Sequence, residues 1–263
     1  MSVPASSRPV VPGETPSLSV ILATLNEREN LPRLLERLWK VPLPPFEVLV
    51  VDDGSTDGTR EYLTDAARSE PRLHLLWHEG KQTTLRAQCQ GISTARGEFV
   101  VVMDADLQHP PEVLPAMVEA LRDGASLAVG SRYAPGGTAG PRTFTRVAIS
   151  RGAEWTAKLF LSEARPLTDP VSGLFAFRRG VFRPLESHWR GYKLLLFLLV
   201  MARGQRVVEV GFRFEPRASG VSKVTQNSRF IRFFLTEIVL AKRLEGTLDR
   251  RRDGRTTSAP SPR

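Results

Sequence analysis

Residues 98–112 read Glu-Phe-Val-Val-Val-Met-Asp-Ala-Asp-Leu-Gln-His-Pro-Pro-Glu. The stretch Glu98 to Met103 is too short for an independent helix and rich in β-branched side chains, which suits a buried strand. It ends directly on Asp104-Ala105-Asp106, so two carboxylates leave the strand at its carboxyl end. Pro110 and Pro111 suit the first turn of a following helix that ends near Asp123-Gly124.

The same alternation runs outward from this stretch. Leu18 to Leu25 forms a first strand, and Asn26-Glu27 opens a helix to about Lys40, with Leu31, Leu34, Leu35 and Leu38 at helical spacing. Phe46 to Val51 is a second strand, closed by the turn Asp52-Asp53-Gly54-Ser55-Thr56-Asp57-Gly58. A helix to about Arg68, a strand Leu73 to Trp77, a helix Thr83 to Ala95 and a fifth strand Leu127 to Gly130 complete the first half. Strands alternating with helices predict an α/β, Rossmann-like domain with a mostly parallel central sheet and helices on both faces. Beyond Tyr133 come a Gly/Pro loop at 135–141, a helix from about Phe144 to Leu161, the turn Asp169-Pro170-Val171-Ser172-Gly173, strands Leu174 to Phe177 and Gln205 to Phe214, and a last helix, Phe230 to Leu244. The predicted division is a flexible leader at 1–16, one main domain at 17–228, an amphipathic helix at 229–248 and a disordered basic tail at 249–263.

Charge is unevenly spread. Residues 1–141 hold 13 Lys and Arg against 18 Asp and Glu, whereas residues 142–263 hold 24 against 10. The second half therefore favours phosphates, whether of nucleotides, nucleic acid or lipid headgroups. The single cysteine, Cys89, excludes an intramolecular disulfide and a Cys-based metal cluster, and reads as an inert buried thiol. Leu194 to Ala202 is the longest apolar run; a spanning helix needs about 20 residues, so the run predicts a buried core helix. The leader lacks the apolar region of a signal peptide.

Ligands of open α/β sheets bind beyond the carboxyl ends of the strands. Glu27, Asp52, Asp53, Asp104 and Asp106 all fall there, where carboxylates would repel a bare phosphate. They make sense around a divalent cation that bridges protein and diphosphate, because hard oxygen ligands suit Mg²⁺ or Mn²⁺; Gln108 adds a neutral oxygen. His74, His78, His109 and His188 lack metal-ligand spacing, and the His109 ring is expected to pack or hydrogen-bond locally.

The segments Ala23-Thr24-Leu25-Asn26-Glu27, Val51 to Thr59 and Asp104 to Glu112 together resemble family 2 glycosyltransferases of the GT-A fold. Gly130-Ser131-Arg132-Tyr133, Asp169 to Gly173, Gly191-Tyr192-Lys193 and Gly220-Val221-Ser222-Lys223 make the chain similar to dolichol-phosphate and polyprenyl-phosphate mannosyltransferases, over roughly Leu18 to Val224. The resemblance implies an inverting transfer of a sugar, mannose from GDP-mannose, onto a polyprenyl or dolichyl phosphate. It assigns Ala23, Leu25, Glu27, Val51 and Asp53 to the nucleotide-sugar donor, and Asp104, Asp106 and Gln108 to the cation, with Ala105 close to the donor. It gives Asp104, Asp106, Arg132 and Lys223 to catalysis, and Arg132, Arg217 and Lys223 to the phosphates. Asp169 and Ser172 fall near the acceptor, with Arg142 and Arg146 joining if the preceding loop closes.

Three features depart from the family pattern: Gly80-Lys81 is followed by Gln82-Thr83-Thr84 instead of a glycine-rich segment, Phe197 stands where an acid is common, and Ala23 and Leu25 replace a proline and an aromatic residue. The segment 229–243 mixes apolar and basic residues as an interfacial helix does. It predicts peripheral attachment to an anionic membrane surface, on the cytoplasmic face, with a separate membrane anchor protein as a further partner. Two rivals are a UDP-sugar-dependent enzyme acting on a lipid, polysaccharide or protein, faintly echoed by Gln226-Asn227-Ser228-Arg229-Phe230, and a nucleic-acid-binding protein. The latter leaves the strand-end carboxylates unexplained, and no nucleic acid is expected as partner.

Overall fold

A computed structural model of the chain describes residues 16–78, 82–140, 144–186, 189–216 and 228–252, with backbone alone at 144–146, 228–230 and 250–252. Strands β1 (Leu18–Thr24), β2 (Phe46–Asp52), β3 (Leu73–Trp77) and β4 (Phe99–Asp104) pair in parallel in the order β3-β2-β1-β4. The sheet continues through β6 (Phe175–Arg178), β5 (Leu127–Ser131) and β7 (Val207–Gly211), giving the order β3-β2-β1-β4-β6-β5-β7. Only β6 runs against its neighbours. The expected mostly parallel sheet is present, and the chain changes direction of winding at the β1–β4 junction, where Ala23 lies opposite both Val51 and Asp104.

Strand residues alternate between two cores, as pleating requires. Ile21, Leu49, Val100, Val102, Val129 and Phe175 join one; Val20, Leu22, Val48, Val50, Val101 and Met103 join the other. Helices α1 (Leu31–Lys40), α2 (Thr59–Ser69) and α4 (Leu114–Arg122) contribute apolar residues to the second core. Helices α3 (Thr84–Thr94), α5 (Phe144–Phe160), α6 (Leu194–Met201) and α7 (Ser228–Arg252) contribute to the first. Gly91 lets α3 press onto the sheet, since a Cβ there would sit 2.6 Å from Ile21 Cγ2. All eight residues of α6 are buried, so the apolar run is a core helix without a polar face. Phe197, at the position where the family favours an acid, is fully buried and packs on Trp189 with ring centroids 5.4 Å apart.

Four boundaries differ from the sequence reading. The first helix starts at Leu31, because Asn26 takes φ 55° and its side chain accepts a hydrogen bond from Thr56 N at 2.8 Å, tying residues 26–30 into a turn. Pro111–Val113 form a single 3₁₀ turn before α4. The strand predicted over Gln205 to Phe214 narrows to β7. The last helix runs to Arg252, past the predicted start of the tail, where Asp249 accepts hydrogen bonds from Arg203 at 3.0 and 2.9 Å. The Gln226–Phe230 echo and most of the leader and tail lie outside the described residues or side chains.

Phe197→Ala is expected to cost about 3–5 kcal/mol of unfolding free energy, the usual range for a phenylalanine removed from a rigid core. Urea denaturation followed by circular dichroism reads this; a loss below about 1 kcal/mol would contradict the core role of α6.

Candidate active site

Strand β4 delivers the acidic turn. The Asp104 side chain is about half exposed (47%), and Asp106 is 7% exposed. Gln108 N donates to Asp106 Oδ1 at 3.1 Å, closing a short side-chain turn. Between them Leu107 is held at φ 64° while 97% buried, a left-handed conformation that costs a branched residue roughly 1–2 kcal/mol. Strain of that kind collects where a turn is over-determined by its surroundings. Here the surroundings are Glu215 N, which donates to Gln108 O at 3.0 Å, and Arg37, which grips Glu112 at 2.7 Å and Glu215 at 2.8 Å.

Beneath the turn, His109 is buried between Phe212 and Phe214, with ring centroids at 5.5 and 5.8 Å. Burial pulls its pKa down to about 4, against the opposing pull of Asp106, so the ring is neutral at pH 7. Its Nδ1 accepts from Asp104 N at 3.2 Å. The 3.7 Å approach of that nitrogen to Asp104 Oδ2 is therefore no ion pair. The ring packs and hydrogen-bonds locally, as expected. Gly173 completes the cradle: a Cβ there would lie 2.7 Å from Asp104 Oδ2 and 3.0 Å from His109 Cε1.

On the β1–β2 side, Asp52 has no exposed side-chain surface and accepts from Gly54 N, Ser55 N, Ser55 Oγ and Arg60 Nε. Burial opposes its charge, but these donors hold the carboxyl below its usual pKa. Asp53 accepts from Gln82 N at 2.7 Å and faces His78 Nδ1 at 3.4 Å. Glu27 accepts from Asn30 Nδ2 at 2.7 Å. Ala23, Leu25 and Glu27 are partly exposed at the strand end. Val51 is fully buried with its Cγ2 against Gly91, so it offers no exposed surface at the strand end.

On the opposite side, Asp169 is fully buried and binds Arg132 through Nε at 2.7 Å, Nη2 at 2.7 Å and the backbone N at 3.2 Å. Burial disfavours the guanidinium charge, yet Asp169 more than offsets it and raises the Arg132 pKa. Glu209 on β7 accepts from Asp169 N and Thr168 N at 2.9 and 2.8 Å. Ser172 spends its hydroxyl on the backbone of Leu174. Lys193 Nζ donates to Val171 O at 2.7 Å, in the same loop.

Asp104, Ala105, Asp106 and Gln108 thus share the turn at the end of β4, while Arg132, just past β5, is bonded to Asp169 in the loop that also carries Ser172. Arg142, Arg217 and Lys223 lie outside the described residues, as does the side chain of Arg146. The sequence reading gives no individual role to Lys193, Gly173 or Glu209. The Asp169–Gly173 and Gly191–Lys193 segments are the available signals for the first two, and they name no partner. Among the described residues no three His, Cys, Asp or Glu side chains stand close enough to enclose a metal ion. Two carboxylates and an amide do fit the partial shell that Mg²⁺ or Mn²⁺ accepts when substrate phosphates and water supply the rest.

The model of Glycosyl transferase family 2 matches residues 19–185. A dolichol-phosphate mannosyltransferase of Pyrococcus furiosus is 38% identical over 234 residues, covering 89% of this chain and 66% of that protein. A polyprenol monophosphomannose synthase of Mycolicibacterium smegmatis is 36% identical over 252 residues, covering 92% of each. Among solved structures, glucosyl-3-phosphoglycerate synthase from Mycobacterium tuberculosis with Mn²⁺, UDP-glucose and phosphoglyceric acid superposes at a TM-score of 0.65, over 85% of this chain and 80% of that one. At 17% identity it shares the fold alone. The acidic strand end, the GT-A architecture and these matches agree, and the chain belongs to glycosyl transferase family 2, a family of enzymes that transfer sugars.

Proposed function

We propose that this chain transfers a sugar, mannose from GDP-mannose, onto a polyprenyl phosphate at the cytoplasmic face of a membrane, inverting the anomeric centre. The observation that carries the reading is the strained, cradled Asp104–Gln108 turn set beside the Arg132–Asp169 loop in a chain 36% identical to a polyprenol monophosphomannose synthase. In this reading Asp104, Asp106 and Gln108 hold Mg²⁺ or Mn²⁺, which when bound neutralises charge on the departing diphosphate. Ala23, Leu25, Glu27 and Asp53 line the nucleotide, and Ala105 sits against the donor. Arg132, with Arg217 and Lys223, neutralises phosphate charge; Asp169 keeps Arg132 ionised and oriented, and Ser172 shapes that loop. Arg142 and Arg146 are assigned to binding of the acceptor. The acceptor phosphate brings its own anionic oxygen, so the residues have only to align it with the anomeric carbon and stabilise charge.

Two helices favour the membrane. Of the nine large hydrophobic residues exposed among those described, seven lie on α5 and α7, with Trp155 at 72%, Ile231 at 57% and Leu159 at 56%. On α7 the opposite stripe, Phe234, Ile238 and Ala241, packs into the core, which leaves the exposed stripe as the face proposed for the membrane. Exposed Arg232 and Arg243 flank the apolar residues of α7, the pairing an anionic interface attracts. No described helix is long and apolar enough to cross a membrane.

A panel of sugar nucleotides with a short polyprenyl phosphate, with and without Mg²⁺ or Mn²⁺, is expected to show cation-dependent transfer, with GDP-mannose preferred. Asp106→Ala is expected to lower transfer roughly 100-fold or more without altering the fold; near-normal turnover would refute the cation assignment. Gly173→Ala is expected to displace the Asp104 carboxylate and cut kcat/KM at least about tenfold, and activity within threefold of wild type would show that the cradle is not needed. Wild-type protein is expected to pellet with anionic liposomes at low salt. Trp155→Glu with Leu235→Glu is expected to lower the bound fraction about tenfold or more, since each buried side chain is worth about 1.5–3 kcal/mol. Equal pelleting of variant and wild type would rule out this face.

A further inference from the structure

Gly191-Tyr192-Lys193 forms the approach to α6, and it is fixed from two directions. Gly191 O accepts from Leu85 N at 3.0 Å, tying it to α3. Glu237, a fully buried carboxylate on α7, accepts from Tyr192 N at 2.5 Å and Lys193 N at 2.6 Å. Its Oε1 lies so close over Gly191 that any Cβ at that position would collide with it. The latch thus requires a glycine, and it joins the helix bearing Ile231 and Leu235 to the chain that enters the site.

Held in this way, the half-buried Lys193 side chain reaches the loop that organises the chemistry. Its Nζ donates to Val171 O at 2.7 Å. Val171 lies between Asp169, which grips Arg132, and Gly173, which cradles Asp104. Burial disfavours the ammonium, as does Arg132, while Asp104, Asp169 and Glu237 oppose that effect. An ammonium has three N–H groups, and one is committed to Val171. Two remain, and the half-exposed Asp104 carboxylate is near enough for its charge to act on them. Tyr192, whose ring meets Phe233 edge-on at 5.6 Å, is exposed next to the apolar face of α7.

We propose that Lys193 is a binding residue for the acceptor phosphate and that Glu237 is its positioning residue, coupling the membrane-facing helix to the active site. The inference rests on the polyprenyl phosphate reading above. Helix α7 then has a second role, because besides resting on a membrane it sets where the acceptor-side cation stands.

The test is steady-state kinetics with GDP-mannose and a short polyprenyl phosphate, varied separately, with thermal melts to confirm folding. Lys193→Met is expected to raise the acceptor KM at least tenfold and lower kcat, with the donor KM within twofold of wild type. Lys193→Arg, which keeps the charge, is expected to recover part of the loss. Glu237→Gln is expected to shift the acceptor KM in the same direction by a smaller factor, again sparing the donor KM. If Lys193→Met melts early, the Lys193→Arg and Glu237→Gln comparison carries the test alone. An acceptor KM within twofold of wild type in folded variants, or donor and acceptor KM rising together, overturns the proposal. Active wild type with indifferent Lys193 variants removes this inference only; wild type without transfer to any polyprenyl phosphate removes the functional reading and the inference together.

Discussion

A carboxylate with no solvent, Asp169, would be intolerable in this fold without the three hydrogen bonds it accepts from Arg132. Removing one partner of such a buried pair typically costs about 3–5 kcal/mol, because the other charge is left desolvated and alone. The pair itself contributes little net stability; what it supplies is register. It ties the end of β5 to the 169–173 loop, and Glu209 of β7 ties the same loop from behind. Gly173 and Val171 follow in that loop, so the position of the Asp104 carboxylate and the partner of Lys193 both depend on it. One desolvated ion pair therefore sets the distance between the acidic turn and the cations facing it.

The cationic second half of the chain takes on a different meaning in three dimensions. Several arginines are consumed by carboxylates of the fold: Arg178 by Glu98, and Arg203 by Glu163, Glu245 and Asp249. Such pairs are worth little individually where they are exposed. Arg151 on α5 is likewise held by Glu154, whereas Arg232 and Arg243 on α7 stand exposed among apolar side chains. Charge asymmetry in a sequence reports a surface, and only geometry separates cations tied up in the fold from those offered to a partner.

The four parallel strands and both acidic turns were legible because their signals are local: a short β-branched run, then carboxylates and glycines. The helix limits failed where side chains from distant segments intervene, as when Asn26 binds the Thr56 backbone and delays α1. The reversed strand β6, slotted between β4 and β5, carries no local mark of its direction. Lys193, Gly173 and Glu237 are ordinary residues in sequence. Their significance arises from contacts across 44 and 22 positions, from Glu237 to Lys193 and from Lys193 to Val171. Leu107 was equally unreadable, since nothing in its type announces φ 64°.

The chemistry of the acceptor follows from the same geometry. A hydroxyl acceptor needs a general base within hydrogen-bond reach, poised near the working pH. His109 is the buried imidazole beside the acidic turn, and it is disqualified: burial keeps it neutral down to about pH 4, and its Nδ1 already accepts from Asp104 N. Asp104 and Asp106, if they hold a cation, are engaged as ligands and weakened as bases. Asp169 is consumed by Arg132. What this arrangement offers an acceptor is positive charge and orientation, and that suits a nucleophile which arrives already anionic. A phosphate monoester, the acceptor proposed above, meets that requirement without a protein base.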